Sequence, residues 1–275
     1  MKPSCRPVAL TIAGSDNSAG AGIQADLKTF TALGVYGLTA ITCVVAEIPG
    51  HVSAIAPVPP EVVAEQVRLS FSAFPVAAAK TGMLYSYPII HAVCDVLEKL
   101  PRRPALVVDP VMIASSGDPL LEPDAMQAYP ERVFPLATLV TPNLDEASAL
   151  AGYKITTREA LYDAGRTLTS RHRTAFLLKG GHLPGGEAID VLFTADGRVY
   201  PFAAPRVEGV STHGTGCTFS AAIAAGLARG LSLPEAVAAG KGYIAGAITK
   251  YYRWPSPSGG ETDALNHEHV IPGGL

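Results

Sequence analysis

Apolar residues recur along the chain in short uninterrupted runs, and most runs are followed by a longer stretch with helical spacing. A strand that is buried on both faces of a sheet reads as a continuous apolar run, because neither of its faces meets solvent. The runs therefore predict a mostly parallel central sheet with helices on both faces, which is an α/β fold. The predicted strands span residues 8–13, 38–46, 77–80, 105–109, 136–141 and 174–179.

Between and after these runs, apolar side chains recur with the period of amphipathic helices. The second predicted helix begins at two consecutive prolines, a residue that suits the first turn of a helix. The last two predicted helices are rich in Ala and Gly, whose small size permits close packing. The predicted helices span residues 21–33, 59–71, 87–100, 158–171, 218–229 and 233–250.

The pattern changes to a period of two between residues 185 and 207, with Asp196-Gly197 between the two halves. Alternation on both sides of an Asp-Gly pair indicates a β-hairpin, so we expect antiparallel edge strands at one end of the sheet. The tail from about residue 255 is rich in Gly, Pro and Ser, and we expect it to be partly irregular. No linker or repeat divides the sequence, so residues 1–275 are predicted to form a single domain.

Composition narrows the class of protein. Hydrophobic residues make up 48% of the chain and charged residues 16%, which indicates one large core. A net charge of -3 without basic runs argues against nucleic-acid or membrane partners. The four cysteines are far apart in sequence and lack the spacing of a zinc site, and we found no signal peptide or long apolar span. We therefore expect free thiols and a cytoplasmic protein.

In an open parallel sheet, ligands bind beyond the carboxyl ends of the strands, so polar residues that follow apolar runs are candidates for a site. The first such segment contains Gly20, Gly22 and Ala25 in a GxGxxA arrangement. A dinucleotide site with Glu47 as the ribose acid is one interpretation, although about six residues separate Gly14 from the motif. A glycine-rich loop close to a small bound ring, or a simple turn into the helix, would also explain these glycines.

The chain has no GxxxxGK[ST] sequence, which excludes a Walker A nucleotide site. The alternative is the predicted helix start at Gly214-Thr215-Gly216-Cys217-Thr218. Glycines leave amide groups accessible, and a helix N-terminus attracts an anion such as a phosphate. Capping by one of the two threonines would also account for the segment. Cys217 should have a lowered pKa at this position and could accept a proton, or it could be an inert buried thiol.

Three acidic or amide side chains follow later strands. Asp109 ends the fourth predicted strand, a position at which a single acid favours a functional role. Asn143 and Glu146 have the spacing of a capping box, which needs no function. A carboxylate at Glu146 could equally hold hydrated Mg2+ near phosphates. Both interpretations of that pair remain open at this point.

Several motifs in a fixed order resemble the hydroxymethylpyrimidine/phosphomethylpyrimidine kinases of thiamine biosynthesis, and the resemblance extends from about residue 8 to residue 248. It rests on the segments 9–16, 20–29, 80–83, 109–112, 141–143, 179–182 and 214–217. The resemblance implies a ribokinase-like fold and the cofactors ATP and Mg2+. It also implies phosphorylation of 4-amino-5-hydroxymethyl-2-methylpyrimidine and then of its monophosphate.

The same resemblance assigns roles to residues of this chain. The segment 214–217 would form the anion hole, with Cys217 in the place where the wider superfamily has an Asp base. Lys179 would bind ATP phosphates. The remaining assignments are Asp109, Asn143 and Glu146 at the Mg2+ and triphosphate, and Asp26, Ala21, Glu47, Met83 and Val111 around the pyrimidine.

Glu47 departs from the family pattern, which usually has Gln at this position. An ionised Glu offers acceptors only, so the ring must present two donors, or either Glu47 or the ring must carry a proton. A pyridoxal/pyridoxine kinase is therefore the nearest alternative, with hydroxyethylthiazole kinase more distant, and a non-catalytic ligand-binding protein of the same fold is a third. Small residues and the apolar surplus also favour a homodimer.

Overall fold

The computed structural model describes residues 5–112, 121, 125–181, 183, 186–207, 209–210, 213–257 and 259–269. His182 and Thr212, which belong to two of the motifs, lie outside these residues. The predicted α/β architecture is confirmed, because nine of the described strands form one sheet in the order β3-β2-β1-β4-β5-β6-β7-β8-β9. These strands are β1 Val8–Asp16, β2 Tyr36–Ile48, β3 His51–Pro57, β4 Val76–Thr81, β5 Ala105–Val108, β6 Leu139–Val140, β7 Ala175–Lys179, β8 Glu187–Phe193 and β9 Val199–Pro205.

The middle of the sheet is parallel and both of its ends are antiparallel. The strands β2, β1, β4, β5, β6 and β7 pair in parallel, as the continuous apolar runs predicted. The predicted hairpin is confirmed as β8 and β9, which pair antiparallel to each other and extend β7. At the other end β3 pairs antiparallel with β2. The carboxyl ends of six parallel strands therefore meet along one edge of the sheet.

Helices cover both faces of this sheet. Their bounds are α1 Gly22–Ala32, α2 Pro60–Ala73, α3 Tyr87–Glu98, α4 Ala125–Ala128, α5 Leu144–Ala151, α6 Arg158–His172, α7 Thr215–Ala228 and α8 Leu233–Thr249, with a π-helical turn at Tyr129–Val133 and a 3₁₀ turn at Phe134–Leu136. None of the helices in the described part of the chain is long and apolar enough to cross a membrane.

Two apolar clusters show how the layers pack. Leu10 and Phe176 point to one face of the sheet and join side chains from α2, α3 and α6. Ala9 and Leu177, their neighbours along β1 and β7, point to the opposite face and join α1, α7 and α8. This alternation buries the strands on both sides. The first turn of α7 lies over the carboxyl edge of the sheet, beside the residues that follow β1 and β5 and the last residue of β7.

The structure also contains elements that the hydrophobic pattern did not predict. Strand β3 is largely exposed and carries no continuous apolar run. The predicted strand 136–141 is shortened to Leu139–Val140, and a 3₁₀ turn, Phe134–Leu136, ends on its first residue. In the tail expected to be partly irregular, β10 Tyr252–Pro255 and β11 Glu261–Ala264 form a separate antiparallel hairpin. Residues 265–269 follow it without regular structure.

Candidate functional site

A cavity of about 420 Å³ lies at the carboxyl edge of the sheet. Its walls come from the ends of β1, β2, β4, β5 and β7, from β8 and β9, and from α7 and α8. Twelve of the thirteen residues predicted to form the site line it, namely Ala21, Glu47, Met83, Asp109, Val111, Asn143, Glu146, Lys179, Gly214, Thr215, Gly216 and Cys217. The polar residues that follow the strands thus lie together at one cavity, which makes it the candidate site.

The start of α7 at this cavity depends on a close contact between two glycines. Gly214 is the N-cap residue and has φ of 80°, a conformation that suits Gly. A Cβ on Gly214 would overlap the carbonyl oxygen of Gly20, in the loop after β1. Thr215 and Thr218 are the first and fourth residues of the helix rather than its N-cap, so side-chain capping does not explain the segment. First-turn amides of a helix are suited to bind an anion.

Cys217 corrects one expectation. A lowered pKa was predicted from its place in the first turn of α7, but burial raises the pKa of the thiol to about 11. The charges of Asp26 and Asp109 also raise this pKa. The charge of Lys80 and a hydrogen bond with the Gly22 backbone lower it, but they do not outweigh burial. Cys217 is therefore a neutral thiol near pH 7, and a neutral thiol is a poor proton acceptor.

Asp109 and Lys179 form an ion pair against the first turn of α7. Lys179 Nζ lies 2.9 Å from Asp109 Oδ1, which also accepts a hydrogen bond of 3.2 Å from Thr141. Burial disfavours the charge of Asp109, but Lys179 and Lys80 outweigh burial and hold its pKa below the ordinary value. Burial likewise disfavours the charge of Lys179, and the neighbouring acids outweigh burial and raise its pKa. Both side chains are thus charged.

Gly216 leaves room for this ion pair. A Cβ on Gly216 would lie 3.3 Å from Lys179 Nζ and 3.5 Å from Asp109 Oδ2. The Asp109 Oδ2 atom also accepts a hydrogen bond of 3.3 Å from Ser220, one turn further along α7. The helix start and the ion pair consequently face the same small volume of the cavity.

The capping box predicted for Asn143 and Glu146 is present at the start of α5. The Asn143 side chain accepts from the Glu146 amide at 2.9 Å, and the Glu146 carboxylate accepts from the Asn143 amide at 2.8 Å. Glu146 is buried and also lines the cavity. Burial raises its pKa to about 7, with Lys179 opposing the rise and Asp109 adding to it. The capping role therefore does not remove Glu146 from the site.

The opposite end of the cavity holds three ionisable groups, Asp16, Glu47 and His213, whose ligand atoms lie within 4.8 Å of one another. His213 Nε2 is 3.2 Å from Asp16 Oδ2. Burial opposes ionisation of Asp16, yet hydrogen bonds from His213, Ser18 and Ala21 outweigh burial and lower its pKa to about 2. Because the Asp16 oxygens already accept these bonds, Asp16 has little capacity left for a metal ion.

The charges of the other two members depend on Asp16. Burial raises the pKa of Glu47, and the nearby Asp16 charge raises it further while His213 opposes the rise. The hydrogen bond to Asp16 raises the pKa of His213 despite partial burial. Sequence reasoning assigned no role to Asp16 or His213, although both belong to the motifs at the end of β1 and the start of α7.

Asp26 corrects a second expectation, because it does not reach the cavity. The side chain is fully buried, and Lys80 Nζ donates to it at 2.8 and 3.0 Å while Thr11 donates at 2.5 Å. Asp26 thus neutralises a fully buried lysine beneath the cavity. The family resemblance placed Asp26 around the pyrimidine, but its position on α1 turns the side chain toward Thr11 on β1 and Lys80 on β4.

Apolar residues complete the wall near Glu47. Met83 belongs to a small buried cluster with Cys43 and Val45, and Val111 packs against that cluster. Cys43 Sγ and Met83 Sδ are 3.9 Å apart. These side chains offer a soft, polarisable surface that suits the face of a planar ring.

A second ion pair, which the sequence did not reveal, lines the cavity where β8 meets α8. Lys241 Nζ on α8 lies 2.6 Å from Asp190 Oδ2 on β8, and both side chains are largely buried. Asp190 is an acid between Ile189 and Val191 in the part of β8 that is otherwise apolar, and this was the signal available in the sequence.

Comparisons with known proteins agree with this geometry. The family model described as phosphomethylpyrimidine kinase matches residues 16–259. The hydroxymethylpyrimidine/phosphomethylpyrimidine kinase of Rhizobium meliloti is 49% identical over 88% of this chain and 90% of its own length. The thiamine biosynthesis bifunctional protein of Geobacter sulfurreducens is 46% identical over 96% of this chain, which spans only 53% of that protein.

Two solved structures are also similar. The pyridoxal kinase of Staphylococcus aureus in complex with AMP-PCP and pyridoxal has a TM-score of 0.86 and 34% identity, covering 98% of this chain and 97% of that one. The phosphomethylpyrimidine kinase of Clostridium difficile has a TM-score of 0.78 and 39% identity, covering 88% and 100%. The predicted ribokinase-like fold is thereby confirmed.

Proposed function

Because the chain belongs to the phosphomethylpyrimidine kinase family, we propose that it transfers the γ-phosphoryl group of ATP to 4-amino-5-hydroxymethyl-2-methylpyrimidine. A second transfer then adds a phosphoryl group to the monophosphate. The observation that carries this proposal is the position of the Asp109–Lys179 pair against Gly216, at the uncapped start of α7. An anion site and a fixed cation side by side are what a transferring phosphoryl group requires.

In this proposal, the pyrimidine ring binds at one end of the cavity and ATP at the other. Met83 and Val111 provide the apolar wall and Glu47 the polar edge for the ring, while Ala21 lies at the rim between this end and α7. The segment 214–217, Lys179 and Asn143 would bind the phosphates of ATP. The hydroxymethyl group would then lie at the boundary, near Cys217. Phosphoryl transfer is accelerated mainly by such positioning and by charge neutralisation, so a strong base is not needed.

Carboxylate oxygens are the ligands that Mg2+ prefers, and Glu146 and Asp109 supply them in the cavity wall. These residues fit the ion, and we propose that they hold it through direct or water-mediated contacts. When bound, Mg2+ supplies additional neutralisation of triphosphate charge. Ionised Glu146 would contribute most to holding the ion above pH 7, given its raised pKa of about 7.

Phosphorylation of pyridoxal or pyridoxine is the second candidate. It is favoured by Glu47, which stands where the family usually has Gln, and by the solved structure of a pyridoxal kinase that matches nearly the whole chain. The discriminating experiment compares ATP-dependent turnover of the hydroxymethylpyrimidine and of pyridoxine side by side with Mg2+. We expect a higher kcat/KM for the pyrimidine, and robust turnover of pyridoxine alone would overturn the choice of ring.

The same assay separates both kinases from a non-catalytic binding protein of this fold. That alternative predicts calorimetric binding of the pyrimidine without release of ADP. Any sustained, pyrimidine-dependent ADP release would exclude it.

Three further properties complete the proposal. We propose that residues 1–275 act as a single domain and that the protein is cytoplasmic, in keeping with its four free cysteines. We also propose a homodimer, supported by the exposed Tyr36, Val44 and Ile48 of β2 beside the edge strand β3. Sedimentation at micromolar concentration tests the dimer.

A further inference from the structure

The segment 265–269, here called the C-terminal strap, packs tightly although it has no helix or strand. The family model matches residues 16–259, so the strap lies beyond the segment that this model matches. Leu265, His267 and His269 are nevertheless buried. Leu265 joins the apolar cluster formed by α1, α7 and α8.

Specific contacts fix the strap on α8. Tyr243 donates a hydrogen bond of 2.6 Å to the His267 carbonyl, and the Asn266 amide donates one of 3.2 Å to the Ala247 carbonyl. A Cβ on Gly246 would collide with the His269 ring, so the glycine provides the space in which that ring lies. The α8 surface is thus shaped to receive the strap.

One contact connects the strap to α7. Thr218 Oγ1 and His267 Nε2 are 3.0 Å apart, and both side chains are buried. Burial lowers the pKa of His267 to about 4, while a hydrogen bond with the Leu265 backbone opposes this shift. The imidazole is therefore neutral near pH 7. With its other nitrogen donating to Leu265, Nε2 accepts the hydrogen bond from the Thr218 hydroxyl.

Thr218 directly follows Cys217 in the first turn of α7, whose N-cap Gly214 provides no side-chain hydrogen bond. A side-chain cap would occupy amides that the proposed anion site uses. The contact with Gly20 fixes the backbone at Gly214, and the Thr218–His267 contact fixes the other end of the same turn, one residue after Cys217. We propose that His267 is a positioning residue for phosphoryl transfer, which acts through Thr218 to fix the first turn of α7.

This inference rests on the proposed kinase activity, so its test includes a readout that does not need turnover. Thr218→Val keeps the shape of the side chain and removes only the donor, and His267→Leu removes the acceptor. We expect each variant to lower kcat about tenfold, because small displacements of positioning groups have effects of this size or larger. The affinity for AMP-PCP, measured by calorimetry, should weaken severalfold while the affinity for the pyrimidine stays the same.

Two further variants separate positioning from general stability. His267→Gln supplies a carbonyl acceptor in place of Nε2 and should restore most of the kcat. Thr169→Val is the matched control, since Thr169 is also a buried helical threonine but its hydroxyl has no hydrogen-bond partner among the residues that the structure describes. Its kcat and AMP-PCP affinity should not change. Unchanged kcat and AMP-PCP affinity in Thr218→Val, whatever its melting temperature, would overturn the inference. A wild-type protein that binds AMP-PCP without turnover would instead refute the proposed function.

Discussion

Lys179 Nζ and Asp109 Oδ1 lie 2.9 Å apart although the strand β6 lies between β5 and β7 in the sheet. Asp109 follows β5, and Lys179 is the last residue of β7. The ion pair therefore crosses the carboxyl end of β6 and lies against Gly216 of α7. The pair links the ends of β5 and β7, and we propose that its lysine, Lys179, is the cation of the phosphate site.

Replacing Asp109 should damage both stability and catalysis. Asp109→Asn leaves the lysine without its counter-charge, which should cost about 3 kcal/mol of unfolding free energy. Turnover should fall at least ~100-fold, a loss typical of removing an electrostatic group from a phosphoryl-transfer site. The double variant Asp109→Asn/Lys179→Met should recover stability in urea unfolding but not turnover. Recovered turnover in the double variant would show that the pair has only a structural role.

Gly214→Ala should abolish most activity because a Cβ there overlaps the Gly20 carbonyl. Gly230 offers a matched control, since its φ of 87° is similar but no atom of the described residues lies within 4 Å of an added Cβ. Gly230→Ala should cost about 1 kcal/mol of stability, the cost of the left-handed conformation, and leave kcat unchanged. Equal effects of the two substitutions on kcat would rule out the close contact as the cause.

Cys217→Ala should lower kcat less than about tenfold, because a thiol with a pKa of about 11 is protonated at the pH of the assay. The rate of alkylation of Cys217 by iodoacetamide should still be rising above pH 9. This measurement is made in the Cys5→Ala variant, which keeps Cys217 and lacks the exposed thiol that would obscure its alkylation. A loss as deep as that of Asp109→Asn would instead support a role for Cys217 as a base.

Glu146 should make activity depend on pH near neutrality. Its pKa of about 7 means that the carboxylate forms as pH rises through 7, so kcat/KM for ATP with Mg2+ should rise up to that pH and then level off. Stability should change in the opposite direction between pH 4.5 and 7, because the unfolded chain loses this proton first. Glu146→Gln should flatten both profiles, and an unaltered kcat/KM profile would contradict a role at the metal.

Glu47→Gln tests how the ring is recognised. A proton on Glu47 or on the aminopyrimidine is needed for a donor–acceptor match, so wild-type affinity should weaken as pH rises. The raised pKa of Glu47, which results from burial and from Asp16, extends the range over which such a proton is kept. In the Gln variant, pyrimidine affinity by calorimetry should lose this pH dependence. Glu61→Gln on α2 removes a carboxylate of the same kind from outside the cavity and should leave the dependence intact.

The sequence predicted the fold because its central strands are apolar without interruption, and six of them were located to within a few residues. Strand β3 was missed because it has no such apolar run. It is an edge strand with most of its residues exposed, so it has no buried face to impose a pattern. The hairpin of β10 and β11 was missed because glycine, proline and serine in the tail resemble a loop.

The candidate site was largely predictable because strand ends are fixed by topology, whereas the direction of each side chain is not. Asp26 follows the glycine-rich loop but turns beneath the cavity to Lys80. Asp16 and His213 lie nearly 200 residues apart in sequence, and only the packing of α7 against the loop after β1 brings them together. The pKa of Cys217 depended on burial, which the spacing of residues in the motif did not reveal.

The backbone contact between Gly20 and Gly214 has a thermodynamic consequence. In the arrangement that we propose, Gly20 belongs to the loop beside the ring and Gly214 begins the helix that faces the phosphates, and the two backbones are in close contact. The binding free energies of two ligands on either side of this contact are therefore coupled. Whatever factor the ring adds to the affinity for nucleotide, the nucleotide must add to the affinity for the ring.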